Sequence, residues 1–261
     1  VGRMVDEPEI WYAAAHFKLG EAYRARGRWE KARSEYGKAI GISPQYYEAY
    51  KAIGETYLAQ GRPHSAVEFL QRAAAIRNDD PQLHLDLGWV FLSKGNYADA
   101  ASEFARALKG DPDNPRIHYF IGKMCLDKEE YQRAIFHLKK ALPLKTLRLG
   151  AQVSIGMAQI GLGEFEEATI MLRDVLREDP ANISALDGII VAYRQRGMEY
   201  EAVKYFRRAV SIKARRGPAQ GAPLGYSTSR ARPAEESPPG SSRGPLRICS
   251  PSPKAGPTEK R

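Results

Sequence analysis

Along residues 13–216 the apolar positions recur at three- and four-residue spacing, and polar residues fill the intervals. That period belongs to one face of an α-helix. The runs are short and end at Gly or Pro. Between Gly20 and Ala32 the pattern breaks once, at Arg26-Gly27-Arg28, and then resumes. The spacing predicts a helix, a tight turn and a second helix, with glycine ending the first helix free of a Cβ penalty. Pro44, Pro112 and Pro180 stop second helices, because proline lacks the amide hydrogen a helix interior needs.

The breaks are periodic. Glycines at 20, 54, 88, 122 and 156 are 34 residues apart, and so are alanines at 32, 66, 100, 134, 168 and 202. A third series reads Gly27, Gly61, Gly95, Glu129, Gly163, Gly197. Three phase-locked series across six units mean stacked repeats. Small residues at positions such as Gly20 and Ala32 let two helices approach closely. Aromatic residues on the first helix (Tyr23, Tyr57, Phe91) and on the second (Tyr36, Phe104, Phe206) are expected to fill the space around that contact.

Leu19-Gly20-x-x-Tyr23 followed by Ala32, Tyr36, Ala39 and Pro44 resembles a tetratricopeptide repeat. So does Leu87-Gly88-x-x-Phe91 with Ala100, Phe104, Ala107 and Pro112. The resemblance covers six units without insertion: 13–46, 47–80, 81–114, 115–148, 149–182 and 183–216. It implies an all-α, right-handed α-solenoid of antiparallel helix pairs, with residues 1–12 as a lead-in and 217–261 as a tail. It also implies a non-catalytic interaction scaffold.

Three departures carry expectations. Glu129 stands where the other units have Gly, and Cys125 takes the aromatic position of unit four. Pro143 falls inside a late second helix and should end it early. Ile190 replaces the close-contact glycine of unit six, so that pair should be more open. No polar capping helix follows unit six. Val203, Phe206 and Val210 then have two readings: they pack inside unit six, or they form an end-to-end self-association surface.

In the resembled family the first helices line a concave groove. Carried over, the second, fifth, ninth and twelfth positions of each unit face a ligand. The candidate contacts are Phe17, Lys51, Leu85, Trp89, Leu92, Arg116, Tyr119, Lys123, Leu126, Val153, Met157 and Ile160. Clustered apolar groups of this kind mark binding surfaces, and the implied ligand is an apolar or amphipathic protein segment with some acidic character. The competing reading is that superhelical curvature packs these side chains against neighbouring first helices. One subgroup of the family grips a carboxylate terminus with Lys and Asn. Phe17 and Glu21 stand at the matching positions here, which excludes that mode.

Charge and composition change the picture only at the end of the chain. The net charge of +9 falls mostly from Lys213 onward: residues 213–261 carry ten Lys and Arg against three Glu, leaving 1–212 nearly neutral at +2. Residues 217–261 are rich in Gly, Pro, Ser and Arg and read as disordered. That tail is a passive extension, a polybasic arm for nucleic acid or acidic lipid, or a segment regulated at Ser237, Ser250 and Ser252, each before Pro. Dispersed charges without interleaved aromatics argue against nucleic acid.

Chemistry-bearing motifs are absent: no phosphate loop, no H-E-x-x-H, no C-x-x-C. No cofactor or metal is expected. His16, His84 and His118 share one position of their units and read as packing histidines; His64 and His137 read as isolated. Cys125 reads as a small core residue and Cys249 as a free thiol of the tail. No apolar run reaches the ~18 residues a membrane span requires, and the expected compartment is cytoplasmic.

Overall fold

The computed structural model describes residues 7–216, with side chains for 10–215. Turn chemistry divides this stretch into twelve helices: α1 (Glu7–Ala25), α2 (Trp29–Ile42), α3 (Tyr47–Ala59), α4 (Pro63–Ile76), α5 (Pro81–Ser93), α6 (Tyr97–Gly110), α7 (Pro115–Asp127), α8 (Tyr131–Ala141), α9 (Lys145–Leu162), α10 (Phe165–Glu178), α11 (Ile183–Gln195) and α12 (Glu199–Arg216). α1 begins inside the stretch read as a lead-in. The expectations for 217–261, including Cys249 and the three Ser-Pro sites, lie outside the described residues.

Local signals explain the boundaries. Proline opens α4, α5 and α7, where its missing amide hydrogen costs nothing. Asp80, Asn96, Asn114 and Asn182 cap α5, α6, α7 and α11 by accepting backbone N–H bonds. Gly27, Gly61, Gly95, Gly163 and Gly197 all take left-handed φ, between +68° and +82°, at the turn inside each pair. Glu129 takes φ +60° at the corresponding turn of unit four, a conformation that costs a side-chain-bearing residue about 1–2 kcal/mol. Glu129→Gly should therefore raise unfolding free energy by about 1 kcal/mol in denaturant titration. Pro143 acts as its position predicts: α8 has 11 residues, whereas α2, α4, α6 and α10 have 14.

The helices pack as consecutive pairs. First helices also touch one another across units (α1 with α3, α5 with α7, α7 with α9, α9 with α11), and among the described residues no such packing joins second helices. The first helices thus form the inner, concave side. Within a pair, the eighth residue of the unit meets the twenty-fourth. A Cβ built at Gly20 would lie 2.5 Å from the Tyr36 ring, and one at Gly156 would lie 2.7 Å from Leu172. Tyr36, Leu70, Phe104, Leu138 and Leu172 occupy that twenty-fourth position and are fully buried. Each such burial contributes about 2–3 kcal/mol.

Unit six departs from this scheme. Phe206 holds the same position and is 56% exposed, so it does not fill the interhelix space as expected. Two causes act together. Ile190 occupies the slot that glycine leaves open elsewhere and packs against the terminal core cluster. No described helix follows α12 to cover it. Val203 and Val210 are exposed beside Phe206, so the reading in which they pack inside unit six does not hold.

Candidate functional site

The inner surface is built from the ninth position of each first helix: Glu21, Glu55, Trp89, Lys123, Met157 and Val191. None of the six is buried. Helical phase explains this, since the third, seventh and tenth positions of units two to six point into the stack and are buried. The ladder changes character along the array. Two acids lead, then come Trp89, Lys123 and two apolar residues. Met157, at 37% exposure, and Val191 leave apolar side chains open to water.

The N-terminal half is an ion-pair network. Arg24 reaches Glu21 at 2.6 Å and Glu55 at 3.0 Å. Lys51 reaches Asp80 at 2.5 Å and lies 3.8 Å from Glu55. Tyr47 donates to Asp80 at 2.6 Å, and Tyr36 donates to Glu21 at 2.5 Å. Burial alone would raise the Asp80 carboxyl, but the Lys51 and Tyr47 hydrogen bonds hold it down to about 2. Burial keeps Glu55 above the usual carboxylate range despite Lys51 and Arg24. These charges neutralise one another around an open recess of about 190 Å³ that Phe17 also lines. These pairs are partly buried, and the desolvation each charge suffers offsets much of the Coulombic gain, so they shape the surface more than they stabilise it.

In the C-terminal half, Trp89, Leu92, Leu126, Val153 and Ile160 are partly exposed beside Met157, with Arg116 and Lys123 among them. Arg116 donates to Gln82 of the preceding unit at 3.2 Å. Leu85 and Tyr119 sit elsewhere than the surface: both are buried in the central core cluster. Tyr119 leans over Gly150, whose missing side chain leaves it room; a Cβ there would lie 3.0 Å from the Tyr119 hydroxyl. Burial raises the Tyr119 phenol above its ordinary value. Adjacent first helices therefore absorb the fifth position in units three and four, and the open stripe runs through the second, ninth and twelfth.

The histidines form a second periodic feature. His16 pairs with Glu35 at 2.7 Å and His84 with Glu103 at 2.6 Å, each nineteen residues on. His118 meets His137 at 2.9 Å between Nδ1 atoms, so His137 is not isolated. The offset of nineteen was legible in the sequence but gains meaning only once the pair is folded. His118 Nε2–H donates to the Pro112 carbonyl at 3.0 Å, which leaves Nδ1 to accept from His137. Burial lowers His137 to about 4, helped by His118, Arg133 and Lys140. Among the described residues, no group of three or more His, Cys, Asp or Glu could hold a metal ion. Cys125 is buried, and burial raises its thiol above the ordinary value. None of the described helices is long and apolar enough to cross a membrane.

A fold of this geometry is a repeat solenoid, and comparison with known proteins defines its class. Tetratricopeptide repeat profiles match residues 23–87, 85–146 and 149–182. The chain belongs to the tetratricopeptide repeat family, and its helix pairs form the right-handed α-solenoid of that family. Solved structures share the fold at low identity. The anaphase-promoting complex hetero-tetramer Cut9–Hcn1 is similar at 19% identity and a TM-score of 0.66, covering 80% of this chain; the match spans only 41% of that chain. Pseudomonas aeruginosa PilF is similar at 18% identity and a TM-score of 0.64, over 80% of this chain and 95% of its own. YrrB, a tetratricopeptide repeat protein described as having an unusual peptide-binding site, is similar at 21% and 0.56, over 69% and 92%. Comparison by sequence with curated proteins yields no match.

Proposed function

We propose that this protein is a non-catalytic scaffold that holds an apolar or amphipathic segment of another protein in its concave groove. The observation that carries the reading is the ninth-position ladder. Trp89, Met157 and Val191 present one apolar group per unit on the rigid inner helices, with Lys123 between them. Preformed helices leave most of the ordering cost with the ligand. A segment with apolar side chains at the unit spacing and an acid opposite Lys123 fits this surface. The N-terminal half contributes a polar rim whose charges already have partners. The peptide-binding description of YrrB supports a peptide ligand for this architecture.

Trp89 is the expected anchor. Trp89→Ala should weaken the ligand by about 2 kcal/mol or more, roughly thirty-fold in Kd, with the fold intact. The test is a capture from source-cell lysate with three baits: the unaltered chain, Trp89→Glu and Phe206→Glu. A protein retained by the first and third and lost from the second supports the groove, and its direct titration against Trp89→Ala supplies the fold-change. Identical catches from all three baits refute it.

A further inference from the structure

The two ends of the array are the two halves of an interface that the chain already uses between its own units. The junction of units four and five shows the pattern. α8 and α9 are in contact, with Ile135, Leu138, Ala141 and its C-cap Leu142 on α8 and Leu147, Ala151, Ile155 and Ala158 on α9; Leu138 also meets Gly122 of its own pair. All eight lie in or against one core cluster, and the α9 four are buried.

Shifted by two repeats, the α8 face falls on Val203, Phe206, Ala209 and Val210 of α12. Shifted back by four repeats, the α9 face falls on Trp11, Ala15, Leu19 and Ala22 of α1. Apolar residues stand at every one of these eight positions, yet seven are exposed; Ala209 alone is buried. Trp11 is 76% exposed and Leu19 44%. α1 and α9 are also the long first helices, of 19 and 18 residues where the other first helices have 13. The extra turn puts Trp11 at the position of Leu147, which is buried beneath unit four's edge.

A single apolar residue on a surface is ordinary, but two aligned stripes at the two ends, in the register of an interface, are not. We propose that a second copy of this chain docks head to tail, with α1 of one copy covering α12 of the next as the first helix of a seventh unit would. The contact is heterologous. Each added copy leaves one free head and one free tail, so assembly proceeds as an open chain of copies. The groove faces a different side of the first helices, and Trp89→Glu should leave this assembly unchanged.

The test uses the full chain in sedimentation velocity over a concentration series. The unaltered protein should pass from 29.1 kDa to multiples of that mass as concentration rises. Leu19→Glu lacks a working head and Phe206→Glu lacks a working tail, so each alone should stay monomeric. Their equimolar mixture should form a dimer and stop there, because one working head and one working tail remain. Both positions are exposed, and unchanged circular dichroism and melting confirm folding; Trp11→Lys and Val210→Lys replace a variant that fails this control. A chain that stays monomeric at every soluble concentration overturns the proposal. So does a mixture that stays monomeric while the unaltered chain assembles, and so does a Leu19→Glu chain that pairs by itself, which points to tail-on-tail pairing. Protection of residues 203–210 from hydrogen exchange in a monomer that is lost when residues 217–261 are deleted also overturns it, by identifying those residues as the occupant.

Discussion

Gly88→Ala should destabilise the array by about 1–2 kcal/mol, whereas Gly37→Ala should stabilise it by about 0.5–1 kcal/mol. Both glycines lie in helix interiors, where alanine is favoured by about 1 kcal/mol. They differ in what the new methyl meets. A Cβ at Gly37 has nothing within 4 Å. One at Gly88 would overlap the ring of Phe104, which is fully buried and has no room to retreat. Overpacking of this kind costs about 1–3 kcal/mol and outweighs the propensity gain. Gly88→Leu should cost more and unfold unit three together with its neighbours, since each unit is stable only through the next. In a Phe104→Ala background the penalty should vanish and Gly88→Ala should become stabilising. Urea titrations of the four chains of that double-mutant cycle measure the coupling.

Acidification should weaken the unaltered protein between about pH 6.5 and 4, and His137→Glu should reverse the trend. In the folded chain His137 stays neutral down to about pH 4, because burial, His118, Arg133 and Lys140 all oppose its charge. Burial and Lys140 also lower His118, against the Pro112 carbonyl and Asp113. An unfolded histidine takes its proton near 6.5. The stability carried by the neutral pair is therefore complete above that pH and is lost as pH falls towards 4. Glutamate at 137 would recreate the pairing of His84 with Glu103, so that protonation of His118 strengthens the contact. At pH 5 His137→Glu should exceed the unaltered chain by about 1.5 kcal/mol, the low end for a charged hydrogen bond because the site is half-buried. Melting temperature measured at half-unit steps from pH 4 to 8 checks both slopes. A parallel pair of curves removes the histidine contact from the account.

The 34-residue period determined most of this fold. It placed the glycine at each turn, the small residue at each close contact and the proline that shortens α8, because these are backbone requirements that one residue type meets wherever it stands. The phase of the ninth position was equally legible, since helix geometry projects it to the inner face whatever its neighbours do. Other features depend on what arrives from a distant part of the chain. Leu85 and Tyr119 share a phase with Phe17 and Lys51, yet they are buried because neighbouring first helices close over them and Gly150 admits the Tyr119 ring. His137 has the composition of a lone surface residue until folding sets it 2.9 Å from His118. Phe206 matches five buried residues in sequence register and stands in water, because Ile190 takes its slot and the described array ends there. Periodicity states which surfaces a repeat can bury. Only the assembled stack, whose first and last units each lack a packed neighbour on one side among the described residues, decides which of them remain open.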